Sequence, residues 1–196
     1  MATTVNYVNY FSTLYPRLRE EENGIVERIN ARDEAGAVAL TKTLLSDPPF
    51  AGVVLHNLSM RLMGWIHTGE SDKVRIALAC TALAPDLRQD VFWEHMLPAA
   101  VKTQSLEIVE MVLPQVDPCW RQSEGLRRAA QLQNQAIFDL LYPLSCTTNG
   151  RCVRHLMEHF LGEDADTLGW WDARVSKGLI ERHVTAQPRR TLERKI

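Results

Sequence analysis

The sequence lacks the features that mark membrane-spanning, exported and strongly basic proteins. No run of about 18 apolar residues occurs in the chain, and Met1–Asn6 does not resemble the start of a signal peptide. The formal net charge of −2 provides no general attraction to nucleic acid or to an anionic membrane. We therefore expect a cytoplasmic protein without a membrane partner, and the charge does not favour nucleic acid as a partner.

Cysteine is scarce and scattered, which argues against sites built from cysteine pairs. The four cysteines are Cys80, Cys119, Cys146 and Cys152, and none of them belongs to a Cys-x-x-Cys pair. In a chain without an export signal, such cysteines are expected to be reduced thiols that are mostly buried.

Sequence patterns typical of catalysis are missing as well. There is no Gly-x-Ser-x-Gly elbow for a nucleophilic serine, and Asn149-Gly150-Arg151 is typical of a turn and not of a phosphate-binding loop. The carboxylates of Glu163, Asp164 and Asp166 lack EF-hand spacing and are typical of a helix start. We therefore predict that the protein is not an enzyme and needs no cofactor.

The pattern that is present throughout is the helical period. Strand-type alternation is weak, so the sequence predicts an all-α fold. Pro16 is expected to begin a helix, Pro98 to mark a kink or a new start, and Gly169 and Gly178 to break the last helix. The predicted helices cover residues 3–14, 17–31, 35–45, 50–66, 87–103, 151–161 and 165–184.

One pattern occurs twice, 29 residues apart, in Leu97–Val112 and Leu126–Leu141. Each segment begins with apolar or small residues at i, i+3 and i+4, continues through a polar break, and ends in a second apolar stripe. A weaker third copy begins at Leu62 and has Gly69 at the turn between its two helices, where the other copies have glutamine. A helix–turn–helix unit of about 30 residues is typical of a solenoid.

The segments Ala100–Val112 and Ala129–Leu141 resemble the middle of an ankyrin repeat. The family's Thr-Pro-Leu-His start and its Asp/Gly-rich hairpin are absent, so the resemblance is to a divergent member; a generic α–α repeat or an irregular helical domain stays the alternative. The resemblance implies one domain over 1–196, with N-terminal cap helices (1–49), stacked repeats (50–145), a C-terminal cap (146–186) and a basic tail (187–196).

In ankyrin-like repeats the end of each first helix faces the binding groove. The resemblance therefore implies a protein-binding surface at His67, Thr68, Lys102, Thr103, Gln131 and Leu132. A stand-alone repeat chain suggests an adaptor or an inhibitor that occupies the surface of another protein. Such chains resemble bacterial, prophage or phage proteins, and one concrete version is an inhibitor of a host defence or nucleic-acid-processing complex. Ordinary exposed helix ends would look the same.

A second hypothesis concerns metal. The stretch His155-Leu156-Met157-Glu158-His159 matches His-x-x-Glu-His, in which two histidines on one helix face bind zinc and the glutamate acts as base. Cys152 lies three residues earlier and could be a third ligand. The alternative function is thus a zinc-dependent hydrolase, weighed against an amphipathic cap helix with both histidines at its surface.

A third hypothesis concerns the C-terminal residues. Trp170 and Trp171 precede a series of basic side chains, and arginines near aromatic rings can hold nucleic acid by charge and stacking. Two core tryptophans followed by a solvated tail would explain the same residues. The basic side chains are Arg174, Lys177, Arg182, Arg189, Arg190, Arg194 and Lys195.

Overall fold

A computed structural model describes residues 7–46, 48–85, 93–145, 150–159 and 162–186. Within these ranges the chain is helical and contains no strand, which confirms the predicted all-α class. In the same ranges, no helix combines the length and the apolar character that crossing a bilayer requires. The chain forms two compact units, Met1–Trp120 (unit 1) and Arg121–Ile196 (unit 2).

Unit 1 contains six described helices and a 3-10 turn, Leu113–Gln115. The helices are α1 Tyr7–Asn30, α2 Glu34–Leu45, α3 Pro48–Thr68, α4 Ser71–Thr81, α5 Met96–Lys102 and α6 Leu106–Val112. Consecutive helices form the pairs α1/α2, α3/α4 and α5/α6. In addition, α3 packs against α1 and α5, while α4 packs against α2 and α6.

Unit 2 contains one short helix pair and two further helices. Their bounds are α7 Trp120–Gln131, α8 Gln135–Leu141, α9 Gly150–His159 and α10 Ala165–Ala186; the first residue of α7 belongs to unit 1. Asp164 caps α10, because its carboxylate accepts a 2.7 Å hydrogen bond from the Thr167 N–H. That hydrogen bond lowers the pKa of Asp164.

The same turn joins the two helices of every pair in the described part of the chain. Its central residue is left-handed: Arg32 (φ 59°), Gly69 (φ 74°), Gln104 (φ 59°) and Gln133 (φ 50°). Each donates its N–H to the carbonyl three residues earlier, at 2.9–3.0 Å. This is the αL end that usually employs glycine. Gln104 and Gln133, which the sequence comparison aligned with Gly69, therefore occupy the same backbone conformation.

The residue after the left-handed position begins the second helix. Asp33 accepts a hydrogen bond from the Gly36 N–H, Ser105 from Ile108 and Asn134 from Ile137, each with its side-chain oxygen. These are N-caps, which satisfy one of the donors that a helix start leaves unpaired. Each short polar break in the sequence therefore contains both the left-handed residue that ends the first helix and the N-cap of the second helix.

The same two positions before each turn are buried in every helix pair. The residues seven and three positions before each left-handed residue are at most 2% exposed, which confirms the predicted core positions of the paired segments and of the third copy. The same positions are buried in α1, which the sequence analysis treated only as part of a cap. The residues are Ile25, Leu62, Leu97 and Leu126 at the first position, and Ile29, Ile66, Val101 and Ala130 at the second.

Two helices that the sequence predicted to be interrupted are continuous. α1 runs through Pro16, and α10 runs through Gly169 and Gly178. Proline removes one hydrogen bond and glycine only weakens the helix, so a long helix can tolerate either one. Pro98, by contrast, lies in the first turn of α5, where its missing N–H would have no helical partner. α5 begins at Met96, two residues before this proline, and Trp93 and Glu94 just before it are also helical.

The described cysteines divide into two states. Cys80 is a free, buried thiol, as predicted. Burial also raises its pKa. Cys119 is disulfide-bonded, so the expectation of a reduced thiol is wrong for this residue. Cys146 and the side chain of Cys152 lie outside the described residues.

Candidate functional site

The predicted surface residues of unit 1 lie at the ends of two neighbouring helices. His67 and Lys102 are exposed, and each stands two residues before the left-handed residue that ends α3 or α5. Asn30 occupies the equivalent exposed position at the end of α1, and the sequence analysis missed it. The signal that could have identified it is the spacing from Ile25 and Ile29 to the N-cap Asp33.

Ion pairs connect the first helix pair of unit 1 to the second near these ends. Arg32, in the turn after α1, donates to Asp72 at the start of α4 at 2.8 Å. Arg75 pairs with Glu34, and this pairing raises the pKa of Arg75. Both pairs are exposed, so each contributes little stability. Their significance is positional, because they place the two turns beside each other.

The two threonines of the predicted surface use their hydroxyls within their own helices. Thr68 donates to the Gly64 carbonyl at 3.2 Å or the Trp65 carbonyl at 3.3 Å, and its hydroxyl also lies 3.0 Å from Glu70. Thr103 donates to the Ala100 carbonyl at 2.7 Å. Both hydroxyls are thus engaged by the last turn of their own helix. Of the predicted pair at each end, the exposed His67 and Lys102 are better placed to contact a partner.

The charges just beyond the end of α3 are paired with one another. The Lys73 ammonium and the Thr68 hydroxyl, in that order of importance, lower the pKa of Glu70. Lys73 also forms an ion pair with that carboxylate. The Glu70 carboxylate is therefore held next to the turn by these partners. The exposed polar side chain at the end of α3 is that of His67.

An exposed stripe runs along α3 and ends at His67. Val53, Met60 and His67 are spaced seven residues apart, which places them on one helix face. Val53 is 42% exposed and Met60 is 51% exposed. Gly52 and Gly64 flank the stripe, and a Cβ built at either position would meet nothing within 4 Å. Two apolar side chains and bare backbone therefore face outward on the same helix.

Sequence reasoning missed this stripe, although a signal for it existed. The helix over 50–66 was predicted to be apolar, and an apolar helix is expected to be buried all round. α3 is 21 residues long, whereas its neighbour α5 has only 7. A helix this long and this apolar presents more apolar surface than one neighbour can cover, so its composition itself pointed to an exposed face.

The two remaining surface residues lie in unit 2 and are less accessible. Gln131 donates from its amide to the Glu163 carboxylate, and both side chains are partly buried. Leu132 is half-buried beside the left-handed Gln133. Their binding role stays a prediction, and the contact with Glu163 gives Gln131 a structural role within unit 2.

The zinc hypothesis falls mainly on side chains outside the described set. The side chains of Cys152 and His159 are not described, whereas His155 is exposed and Glu158 forms an ion pair with Arg154. Among the described side chains, no cluster of three or more potential ligands could hold a metal ion. The hypothesis therefore gains no support from the residues in view.

The basic C-terminal segment is partly described. Trp171 is 2% exposed, and Trp170 and Trp171 both pack edge-on against Phe138 with ring centroids 5.1 Å away. Arg174 donates from Nε to Asp139 at 2.7 Å and forms a second bond from Nη2. These contacts favour the interpretation as core aromatic residues. Residues 187–196 lie outside the described ranges.

Comparisons with protein-family models, with curated proteins and with solved structures found no match to this chain.

Proposed function

We propose that the chain is a non-enzymatic protein-binding module, an adaptor or an inhibitor, built from divergent ankyrin-like helix pairs. The observation that carries the proposal is the exposed stripe of α3, Val53, Met60 and His67, together with Lys102 at the end of the next first helix. Exposed apolar residues rimmed by polar side chains occur at protein-interaction sites.

The packing within unit 1 supports a stacked arrangement. First helices pack side by side (α1, α3, α5), as do second helices (α2, α4, α6), and the left-handed turn recurs in each pair. Stacked helix pairs create an extended surface from the exposed sides of their helices. In this arrangement Asn30, His67 and Lys102 would form a row along one edge of unit 1.

The side chains of the surface indicate the kind of partner. Methionine adapts its shape to a partner, and exposed glycine lets a partner backbone approach closely. His67 and Lys102 would suit acidic side chains at the rim. The proposed partner surface is therefore an apolar segment flanked by carboxylates, on a folded protein or on a helix.

Site-directed photo-crosslinking tests the proposal. A photoreactive residue is placed at Met60, His67 or Lys102 in separate variants, and at Lys42 of α2, an exposed second-helix position, as the control. We expect the three surface positions to crosslink the same protein in extract from the native host, and Lys42 not to do so. The captured protein is then purified for a binding titration.

In that titration we expect one-to-one binding, weakened about tenfold by Met60→Glu, because losing a central interface contact and burying a carboxylate costs more than about 1 kcal/mol. Lys42→Glu should leave the affinity unchanged. Equal crosslinking from Lys42 and Met60 would reject the surface, and turnover of a substrate by the purified chain would reject the non-enzymatic assignment.

A further inference from the structure

The backbone at the start of α7 has an unusual conformation. Arg121 (φ 45°, ψ 47°), Gln122 (φ 58°, ψ 47°) and Ser123 (φ 59°, ψ 48°) are all left-handed. Left-handed non-glycine residues normally occur singly, because each costs roughly 1–2 kcal/mol relative to the right-handed form. Three in succession persist only where surrounding contacts hold them in place.

One contact that holds this conformation comes from Arg127, beside an ion pair between Arg121 and Glu124 at 4.0 Å. The Arg127 guanidinium donates from Nη2 to the Arg121 carbonyl at 3.1 Å and from Nε to the Gln122 carbonyl at 3.3 Å. Arg127 is partly buried, and this burial lowers its pKa. A charged donor bound to two carbonyls of the turn makes these the stronger kind of hydrogen bond.

The conformation also leaves one group unsatisfied. Ser123 is fully buried, and its hydroxyl has no hydrogen-bond partner. In a right-handed helix a serine hydroxyl can donate to the carbonyl three or four residues earlier, which here belongs to Trp120 or Cys119. In the left-handed form Arg127 has its hydrogen bonds to the two carbonyls and the Ser123 hydroxyl has none. In a right-handed form the Ser123 hydroxyl would gain a hydrogen bond and Arg127 would lose its two.

We propose that Arg121–Ser123 is a two-state backbone switch, held left-handed by Arg127 and able to convert to right-handed helix. In the second state α7 would run without interruption from Trp120 to Gln131. The segment lies where the chain passes from unit 1 into unit 2. The conversion would therefore change the course of the backbone at the start of α7.

Backbone couplings in the full-length, isotope-labelled protein test the switch. The one-bond Cα–Hα coupling separates positive from negative φ and is measured at residues 121–123. We expect positive φ in the unmodified chain and a shift toward negative φ in Arg127→Ala. Arg128→Ala is the matched control, since the Nε of this neighbouring arginine has no partner, and it should leave the couplings unchanged.

Glycine provides the opposite perturbation. Gln122→Gly removes the left-handed penalty at one residue and should raise the ratio of left-handed to right-handed chains about fivefold or more. The double variant Gln122→Gly/Arg127→Ala should recover positive φ. Ring-current-shifted signals around Phe138 report whether unit 2 stays folded in each variant.

Negative φ at these residues in the unmodified chain would overturn the proposal, as would Arg127→Ala with folded unit 2 and unchanged couplings. If Arg127→Ala does not fold, relaxation dispersion decides. Exchange at residues 121–123 that falls about fivefold in Gln122→Gly supports the switch. Equal exchange in both proteins, or none in either, rejects it.

Discussion

Unit 1 and unit 2 use the same turn between helices but different side chains to hold their helices together. In unit 1 the buried positions before each turn are mostly aliphatic, as at Ile29, Ile66 and Val101, which are 0% exposed. In unit 2 the equivalent residue is Ala130, and packing centres instead on Phe138. Helices of unit 1 pack mainly along aliphatic surfaces, with Trp65 and Trp93 also buried, whereas α10 is fixed to α8 by aromatic rings and arginine.

The unit 2 contacts are specific in their geometry. Phe138 stacks on Tyr142 with centroids 5.5 Å apart and meets both tryptophans edge-on. Arg174 binds Asp139 through two nitrogens, and Arg154 binds Asp172 through two nitrogens at 2.8 and 2.9 Å. The turn is therefore a local feature of the backbone, independent of which side chains fill the core around it.

The largest effect is expected from removing the aromatic centre of unit 2. Phe138→Ala should lower the free energy of unfolding by about 3–5 kcal/mol, because it leaves a cavity among three aromatic rings. Denaturant unfolding followed by tryptophan fluorescence measures it, since both tryptophans touch the ring. Leu144→Ala, at a residue 50% exposed, is the control and should cost little; comparable losses would contradict a single aromatic centre.

A smaller effect tests the close helix packing of unit 1. Ala100 is fully buried four residues before the left-handed Gln104. Ala100→Leu should overpack the interface and destabilise the protein by about 1–3 kcal/mol. Ala39→Leu, on an exposed face of α2, should change the unfolding midpoint little. A neutral Ala100→Leu would mean that this part of unit 1 is loosely packed.

Because both units use the same turn, the same substitution in each turn should change the stability of the protein by the same amount. Gln104→Gly and Gln133→Gly should each stabilise the protein by about 1 kcal/mol, because glycine adopts positive φ without the penalty of a Cβ. Both side chains are exposed, so little contact is lost. Gly69→Ala should destabilise by a similar amount, since open space around it leaves only the φ penalty. Thermal unfolding checks all three, and unequal changes at Gln104 and Gln133 would show that the turns are not equivalent.

The smallest expected effect is a loss of stability at low pH. The hydrogen bonds from Arg154 lower the pKa of Asp172 in the folded state. Its stabilising contribution is therefore present above the ordinary carboxyl pKa of about 3.9 and is lost as the pH falls through the lowered value. Arg154→Gln should raise the pKa of Asp172 in a carboxyl NMR titration.

Asp164 is the internal control in that titration. Its pKa is lowered by the Thr167 N–H and not by an arginine, so Arg154→Gln should leave it low. A parallel rise at both carboxylates would indicate loss of folding in this part of unit 2, and an unchanged Asp172 would contradict the assigned cause.

The sequence predicted the features that depend on local pattern. The buried positions of Leu97–Val112 and Leu126–Leu141, and the equivalence of Gly69 with two glutamines, follow from periodicity and a polar break. The exposed stripe at Met60 depends on which helices pack against α3, which no local pattern states. The ion pair of Asp139 with Arg174 joins residues 35 positions apart, beyond the reach of any spacing rule.

The two- and three-residue turns also have a consequence for the order of folding. A pair such as α3/α4 closes between residues that are near in sequence, so its loop-closure entropy is small. The contact of Phe138 with Trp171 must close a longer loop. We therefore expect the helix pairs of unit 1 to form early, even while the chain is still being synthesised, and the aromatic centre of unit 2 to form last.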